Sequence, residues 1–326
     1  MADYNTTRAP DAQVDKSKWP SVLREAKKKW DRAMEKERDN IRRAYEDLDF
    51  LAGEDLSQWG DAEKKARTDK GRPVLQLNEL PQFIRQVTGD MRQMKPSLKF
   101  VPVDSGSDEK VADYYGSLSR YIENRSVASA IYNRGADSQV ACGIGGWRIT
   151  TEYADDSTFN QEIRIAPIED PVAVLWDPDA VLPSREDAKF CFVPVDMSRA
   201  AFEEQYPDVT PSSFDDDKWG AALEWCTDDY VRVAEYWVRK PMKRLLALTR
   251  TGAIIDLTDE ADPKAAASMA QMNGARVEER QSYKLCRYLM TAMAILEEKD
   301  WPGRLIPIVP LIGEEIRIGR KIIRKG

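Results

Sequence analysis

"CGIGGWRITTEY" (Cys142–Tyr153) decides how this chain is to be read. Three glycines stand where one hydrophobic period gives way to another. Upstream, from about Asp108 to Cys142, apolar residues such as Val111, Tyr115, Leu118, Ile122, Ile131 and Val140 recur at helical steps. A cap is expected at Ser107 or Asp108, and a break near Asn124–Ser129. Downstream, WRITTEY (147–153) has the β-branched and aromatic make-up of a strand. A dinucleotide site needs the reverse order, strand then glycines then helix, so that phosphate meets a helix N-terminus. Here the glycines follow a helix, whose C-terminal end repels anions. They are therefore read as backbone devices that permit positive φ and close packing beneath Trp147.

Working outward, QEIRIAPI (161–168), PVAVLW (171–176), KFCFVPVDM (189–197), DYVRVAEYWVR (229–239), KRLLALT (243–249) and AIIDL (253–257) read as strands. Between them MSRAAFEEQYP (197–207) reads as a short helix starting at Ser198. Toward the N-terminus, residues 1–18 are polar and aperiodic, a flexible arm. From Trp19 a long amphipathic helix runs to Leu51, with Gly53 as its stop. The stretch GRPVLQLNELPQFIRQVTGDMRQMKPSLKFVPVD (71–104) predicts a helix capped by Asn78 and ended by Pro96, then a strand at LKFVPV (98–103). Its apolar stripe is Leu80, Phe83, Ile84, Val87, Met91 and Met94. Its polar side carries Gln82, Arg85, Gln86 and Arg92 rather than Glu/Lys pairs. Asp262 and Pro263 open a further helix, expected from Lys264 to Ser282, and the remainder is β-rich. Long helices apart from antiparallel β sections, without βαβ repetition, make the fold class α+β.

Composition excludes much chemistry. The 326 residues include no histidine, which rules out Ser-His-Asp and Cys-His nucleophiles and an HExxH zinc site within this chain. No GxxxxGK[ST] phosphate loop is present. The net charge of -7 argues against a surface that grips nucleic acid all round, though not against a local patch. Cys142, Cys191, Cys226 and Cys286 are widely spaced and read as free thiols. No apolar run approaches the length of a membrane span and the start has no signal-peptide core, so a cytoplasmic site of synthesis without membrane partners is expected. Glu169, Asp170, Asp177 and Asp179 lie close in sequence, either as turn-forming carboxylates or as a Mg²⁺ or Ca²⁺ site. FDDDKW (214–219) and RKPMKR (239–244) read as solvated turns of opposite charge. A denser basic run, Arg317, Arg320, Lys321, Arg324 and Lys325, suits phosphate or an acidic partner.

The ordered set of the 71–104 stretch, QVACGIGGWRITTEY, IEDPVAVLWDPDA, DAKFCFVPVDMSRAAFEEQYP, YKLCRYLMTAMAILEE and WPGRLIPIVPLIGEE resembles the portal proteins of short-tailed bacteriophages over about residues 19–326. The resemblance implies a ring of copies of the chain, commonly a dodecamer, at one capsid vertex of the virion, assembled in the host bacterial cytoplasm. It implies double-stranded DNA passing through the channel, and terminase, a tail adaptor, capsid and scaffolding proteins as partners. It implies no catalytic residues, metal or cofactor. On the family's plan residues 19–260 would be wing, 261–282 the stem helix and 283–326 the clip, with the returning helix and crown lying in further chain. Gln82, Arg85, Gln86 and Arg92 are then candidates for the subunit interface, and Lys264, Arg276 and Arg280 for the channel wall. Glu297, Glu298, Arg304, Glu314 and Glu315 are candidates for docking terminase or adaptor. Two alternatives stay open at this point: a metal-dependent nuclease built on the carboxylate pairs, and a virion scaffold or adaptor without a channel.

Overall fold

A computed structural model describes residues 16–94, 98–102, 109–210, 225–258, 262–319 and 321–326. Most of the expected N-terminal arm, Pro96, Val103, the caps at Ser107 and Asp108, the acidic run 214–219 and Arg320 lie outside the described residues. The fold is α+β, and every strand pairing given below is antiparallel. The chain forms two compact units. The first holds Arg24–Asp187 with Pro307–Gly326; the second holds Ala188–Ile306 with Trp19–Leu23.

In the first unit, α1 (Trp19–Ala52) buries Ala26, Trp30, Ala33, Met34, Ile41 and Ala44 along one face, as its spacing predicts. It stops at Gly53, whose left-handed φ of 67° lets its N–H return to the Asp49 carbonyl. After α2 (Asp61–Thr68) the chain runs extended back over this helix end. Asn78, expected to cap the next helix, instead donates from its amide to the Leu51 carbonyl at 2.7 Å, and Gln76 donates to the Gly53 carbonyl at 2.6 Å. Both satisfy carbonyls that a helix end leaves open. Glu79 then precedes α3 (Leu80–Gln93). Residues 98–102, the described part of LKFVPV, form no strand and are irregular chain. Next come α4 (Glu109–Arg125) and α5 (Ala128–Cys142), and the break between them falls at Val127 with φ 50°.

The glycine turn works as read. Gly143, at φ 83°, closes α5 and leads into β1 (Ile144–Tyr153). A Cβ on Gly145 would lie 1.9 Å from the Gly135 carbonyl oxygen of α5, so only glycine lets this strand cross so close to the helix backbone. The Trp147 ring covers Tyr132 of α5 at 4.7 Å between centroids. β1 is the middle strand of its sheet, between β2 (Gln161–Pro167) and β9 (Ile308–Ile312). Of PVAVLW only Leu175–Trp176, β3, is strand.

The hairpin β10 (Glu314–Ile318) and β11 (Lys321–Lys325) is tied to α1 by charge. Arg324 donates both terminal nitrogens to Glu37 at 2.7 and 2.9 Å and its Nε to Glu315 at 3.3 Å. Arg185 closes the set, donating to the same Glu315 carboxylate at 2.6 Å. Glu37, Arg185 and Arg324 side chains are each 10% exposed or less. Two guanidiniums and two carboxylates cancel, and the fork geometry leaves the buried oxygens paired.

In the second unit the strands run in the order β4-β5-β7-β8, with a short β6 beside β5. They are β4 (Phe190–Ser198), β5 (Tyr230–Leu248), β6 (Ile254–Asp256), β7 (Arg276–Met290) and β8 (Ile295–Trp301). Ser198 caps α6 (Arg199–Gln205) by accepting the Ala201 N–H at 3.3 Å, as expected. Phe202 of α6 packs on Val231 and Val233 of β5. Deeper in, Tyr236 stacks on Phe192 at 4.6 Å.

Two readings are corrected here. RKPMKR is no turn: β5 passes straight through it. Pro241 falls where β5 has run past β4 and not yet met β6, so its missing N–H is tolerated at an edge. The helix expected over 264–282 is α7 (Pro263–Met272), with Asp262 accepting the Lys264 and Ala265 N–H groups. Asn273 and Gly274, the latter at φ 78°, end it, and Arg276 opens β7. A long stem helix over 261–282 is therefore absent, and a boundary at 282/283 cuts through β7.

All four cysteines are free; Cys142, Cys191 and Cys286 are buried and Cys226 is partly exposed. Burial raises the thiol pKa at all three buried positions, at Cys286 to about 11. A thiol reagent at neutral pH should therefore modify one cysteine rapidly, mapped to Cys226 by mass spectrometry, and all four after denaturation. Arg324→Leu should cost roughly 3–5 kcal/mol by urea unfolding, because it strands buried carboxylates. Arg324→Leu with Glu37→Leu should cost less than the sum of the single changes.

Candidate interaction surfaces

The packing of α3 divides its apolar stripe. Thr88 is its one buried residue, and the side it presents to the unit is the Thr88–Arg92 side. There Arg92 donates to both carboxylate oxygens of Asp137 on α5, at 2.7 and 3.0 Å. Ile84 and Arg85 line a cleft of about 300 Å³ on the same side, with Leu51 of α1. The small Thr88 allows the helices to approach, and an ion pair on their margin fixes the rotation. The apolar stripe is thereby divided: Ile84 and Met91 are half-buried toward the unit, whereas Phe83 is 59% exposed and Val87 50%, and Leu80 and Met94 are exposed with them. Of the proposed interface residues, Gln82, Arg85 and Gln86 are exposed, and Arg92 is engaged by Asp137.

α4 goes further. None of its 17 residues is buried. Val111, Tyr114, Tyr115, Leu118 and Tyr121 all lie exposed on one helical stripe, Tyr114 at 66%. Its own unit holds it near the C-terminal end. Tyr121 donates to Glu162 of β2 at 2.8 Å, Arg164 donates to the Arg125 carbonyl at 2.8 Å, and Ser126 accepts the Ile165 N–H at 3.0 Å. The hydrogen bond to Glu162 is also the leading reason the Tyr121 hydroxyl holds its proton more tightly. Phe100 stacks on Tyr115, centroids 6.3 Å apart, and is itself exposed. Helical periodicity finds both apolar stripes in the sequence but not the side on which each one lies.

The three channel candidates do not share a helix. Lys264 is exposed in the first turn of α7, whereas Arg276 and Arg280 stand on one face of β7. Glu278, two residues from each, ion-pairs with both, and the Arg276 hydrogen bond is the main cause that holds its carboxyl below the ordinary glutamate value. The other face of the ribbon carries the Lys243–Glu279 pair at 2.5 Å.

The docking candidates divide. Glu297 accepts the Tyr206 hydroxyl at 3.1 Å; Glu298 accepts from Trp19 Nε1 at 3.1 Å and from the Tyr288 hydroxyl at 2.5 Å. Glu315 belongs to the ionic cluster beneath α1. These three carboxylates are spent inside the fold, while Arg304 and Glu314 are exposed. The basic run is partly taken up: Arg324 is in the cluster and Lys321 reaches Asp39 at 3.2 Å, while Arg317 and Lys325 are exposed. The acidic pairs do turn chemistry. Asp170 accepts the Val172 and Ala173 N–H groups and the Tyr45 hydroxyl, Asp177 accepts the Asp179 N–H, and Asp179 pairs with Arg32 at 2.7 Å. Among the described residues no three acidic, cysteine or histidine side chains gather as a metal site, and no helix is long and apolar enough to cross a membrane.

The chain thus offers broad apolar helical faces and an ion-paired ribbon. The sequence profile of the phage P22-like portal proteins matches residues 27–326. The chain is similar to the portal protein of Acyrthosiphon pisum secondary endosymbiont phage 1, with 23% identity over 254 residues. That match takes in 74% of this chain and 35% of the relative, so the chain spans about a third of the length of the curated relative it matches. With the profile covering nearly the whole chain, this protein belongs to the phage P22-like portal protein family.

Proposed function

We propose that the chain works as part of a portal: a ring of identical copies at one vertex of the capsid, through which double-stranded DNA enters during packaging and leaves at infection. The family match over residues 27–326 carries this reading. Terminase, which supplies the ATPase, and a tail adaptor dock on the ring, and capsid and scaffolding proteins surround it. The role is structural rather than enzymatic. Wing and clip name the outer and the docking parts on this reading, and Arg304 and Glu314 are the docking candidates whose side chains the fold leaves exposed.

Lys264, Arg276 and Arg280 are the side chains proposed to face DNA. Phosphate contacts bind DNA by releasing counterions, and many unpaired cations would hold it too tightly to slide. Glu278 between two arginines reduces that attraction locally, which suits a conduit.

Negative-stain images of the purified full-length protein should show rings with a central hole; monomers under all conditions would sink the reading. Arg276→Glu with Arg280→Glu should leave rings intact and lower the packaged DNA per particle. Unchanged packaging would remove these residues from the channel wall.

A further inference from the structure

α4 poses a physical problem. An isolated helix of its length is marginal in water, and helices in proteins are stabilised mainly by packing an amphipathic face. This one has such a face and turns it away from its own unit. The outer part of the α3 stripe does the same. With the Phe100 segment beside α4, the two exposed faces present on the order of 1,000 Å² of apolar surface, given side chains of about 150–250 Å² for the aromatics. Each face by itself is thus about as large as the largest apolar patch on an ordinary monomer, roughly 300–600 Å², and this chain carries two. A stable protein interface takes about 800 Å² from each partner. Somewhat over half of such an area is apolar, so a ring subunit contributes roughly 900 Å² of apolar surface over its two sides, about what the two faces together present.

Their borders differ in charge. Glu79 and Asp90, both exposed, edge the α3 stripe; Asp90 follows Val87 by one turn. Lys110 and Arg125, also exposed, edge the α4 stripe, one turn from Tyr114 and Tyr121, and Arg125 is paired with Glu162 of β2 at 3.6 Å. Two acidic α3 rims would repel each other, whereas the mixed border of α4, with Lys110 and the Arg125–Glu162 pair, would not, which favours face-to-opposite-face pairing. A closed ring uses this kind of heterologous contact, in which two different patches on each copy meet.

We infer that the α3 stripe (Leu80, Phe83, Val87) of one copy packs on the α4 stripe (Val111, Tyr114, Leu118) of the next. This rests on the ring reading above and names its contact surface. The neighbour supplies the burial that α4 lacks. The Gln/Arg side of α3, first taken as the interface, is left beside it.

Phe83→Asp with Val87→Asp destroys the first face, and Tyr114→Asp with Leu118→Asp the second. Each variant alone should lose rings by at least tenfold, with its melting curve confirming the fold. Mixed in equal amounts, the two retain one intact contact per pair, so mass photometry should show two-chain species and nothing longer. Rings from either variant alone, or a mixture that stays monomeric, would overturn the inference while wild-type rings kept the portal reading alive. Absence of wild-type rings would sink that reading instead. A second measurement does not depend on the aspartate variants folding. In a Cys226→Ser background, Val87→Cys with Leu118→Cys should give a ladder of chains with a short bismaleimide. No ladder from assembled rings would count equally against the contact.

Discussion

The first unit rests on one close approach, the crossing of β1 over α5 at Gly145 and Gly135. A strand laid directly on a helix backbone brings the Trp147 ring onto Tyr132 and sets the sheet against α5. With that plane set, α3 and α4 attach to α5 and to β2 from the side. Their polar and ionic anchors then decide their rotation, and the rotation leaves apolar residues outside. The surface proposed for assembly therefore follows from a backbone constraint in the interior rather than from any feature of the surface itself.

The buried ions serve a different purpose from the apolar core. Glu37, Glu315, Arg185 and Arg324 bring no net charge inside and pair with one another in a geometry that tolerates little displacement, with Arg185 Nε left over. Hydrophobic contact alone would accept several registers of the β10–β11 hairpin against α1. A fork from Arg324 to Glu37 accepts one. The second unit shows the same habit more weakly in Glu235 with Arg287, 3.1 Å apart in the middle of the sheet.

Much of this was legible in the sequence because it depended on local chemistry. Gly53 ends α1, Ser198 caps α6, the chain breaks between α4 and α5, and the glycine turn comes before β1, each for reasons contained within a few residues. The misreadings share a cause. Arg276–Arg280 looked helical because Arg and Glu favour helices, but Asn273-Gly274 had already closed α7 and pairing with β5 decided the rest. RKPMKR looked like a turn because a proline sat among cations, and only the positions of β4 and β6 make that edge permissive. Periodicity marks the α3 stripe but not which part of it meets the unit: Ile84 and Met91 do, Phe83 and Val87 do not. One signal was available and unused: Glu37 falls on the buried stripe of α1, and a carboxylate there demands a cation from elsewhere in the chain.

The distance of that cation along the chain sets an order of events. Arg324 is separated from Glu37 by 287 residues, and the first unit is assembled from Arg24–Asp187 and Pro307–Gly326 with a whole second unit encoded between them. During synthesis α1 emerges early, its carboxylate without a partner, and waits while Ala188–Ile306 is made and folds. Closing so long a loop is slow and entropically costly, so the N-terminal unit is completed after the one encoded behind it. The first unit thus reaches its native packing only after translation has passed Arg324, although its longest helix is among the first segments made.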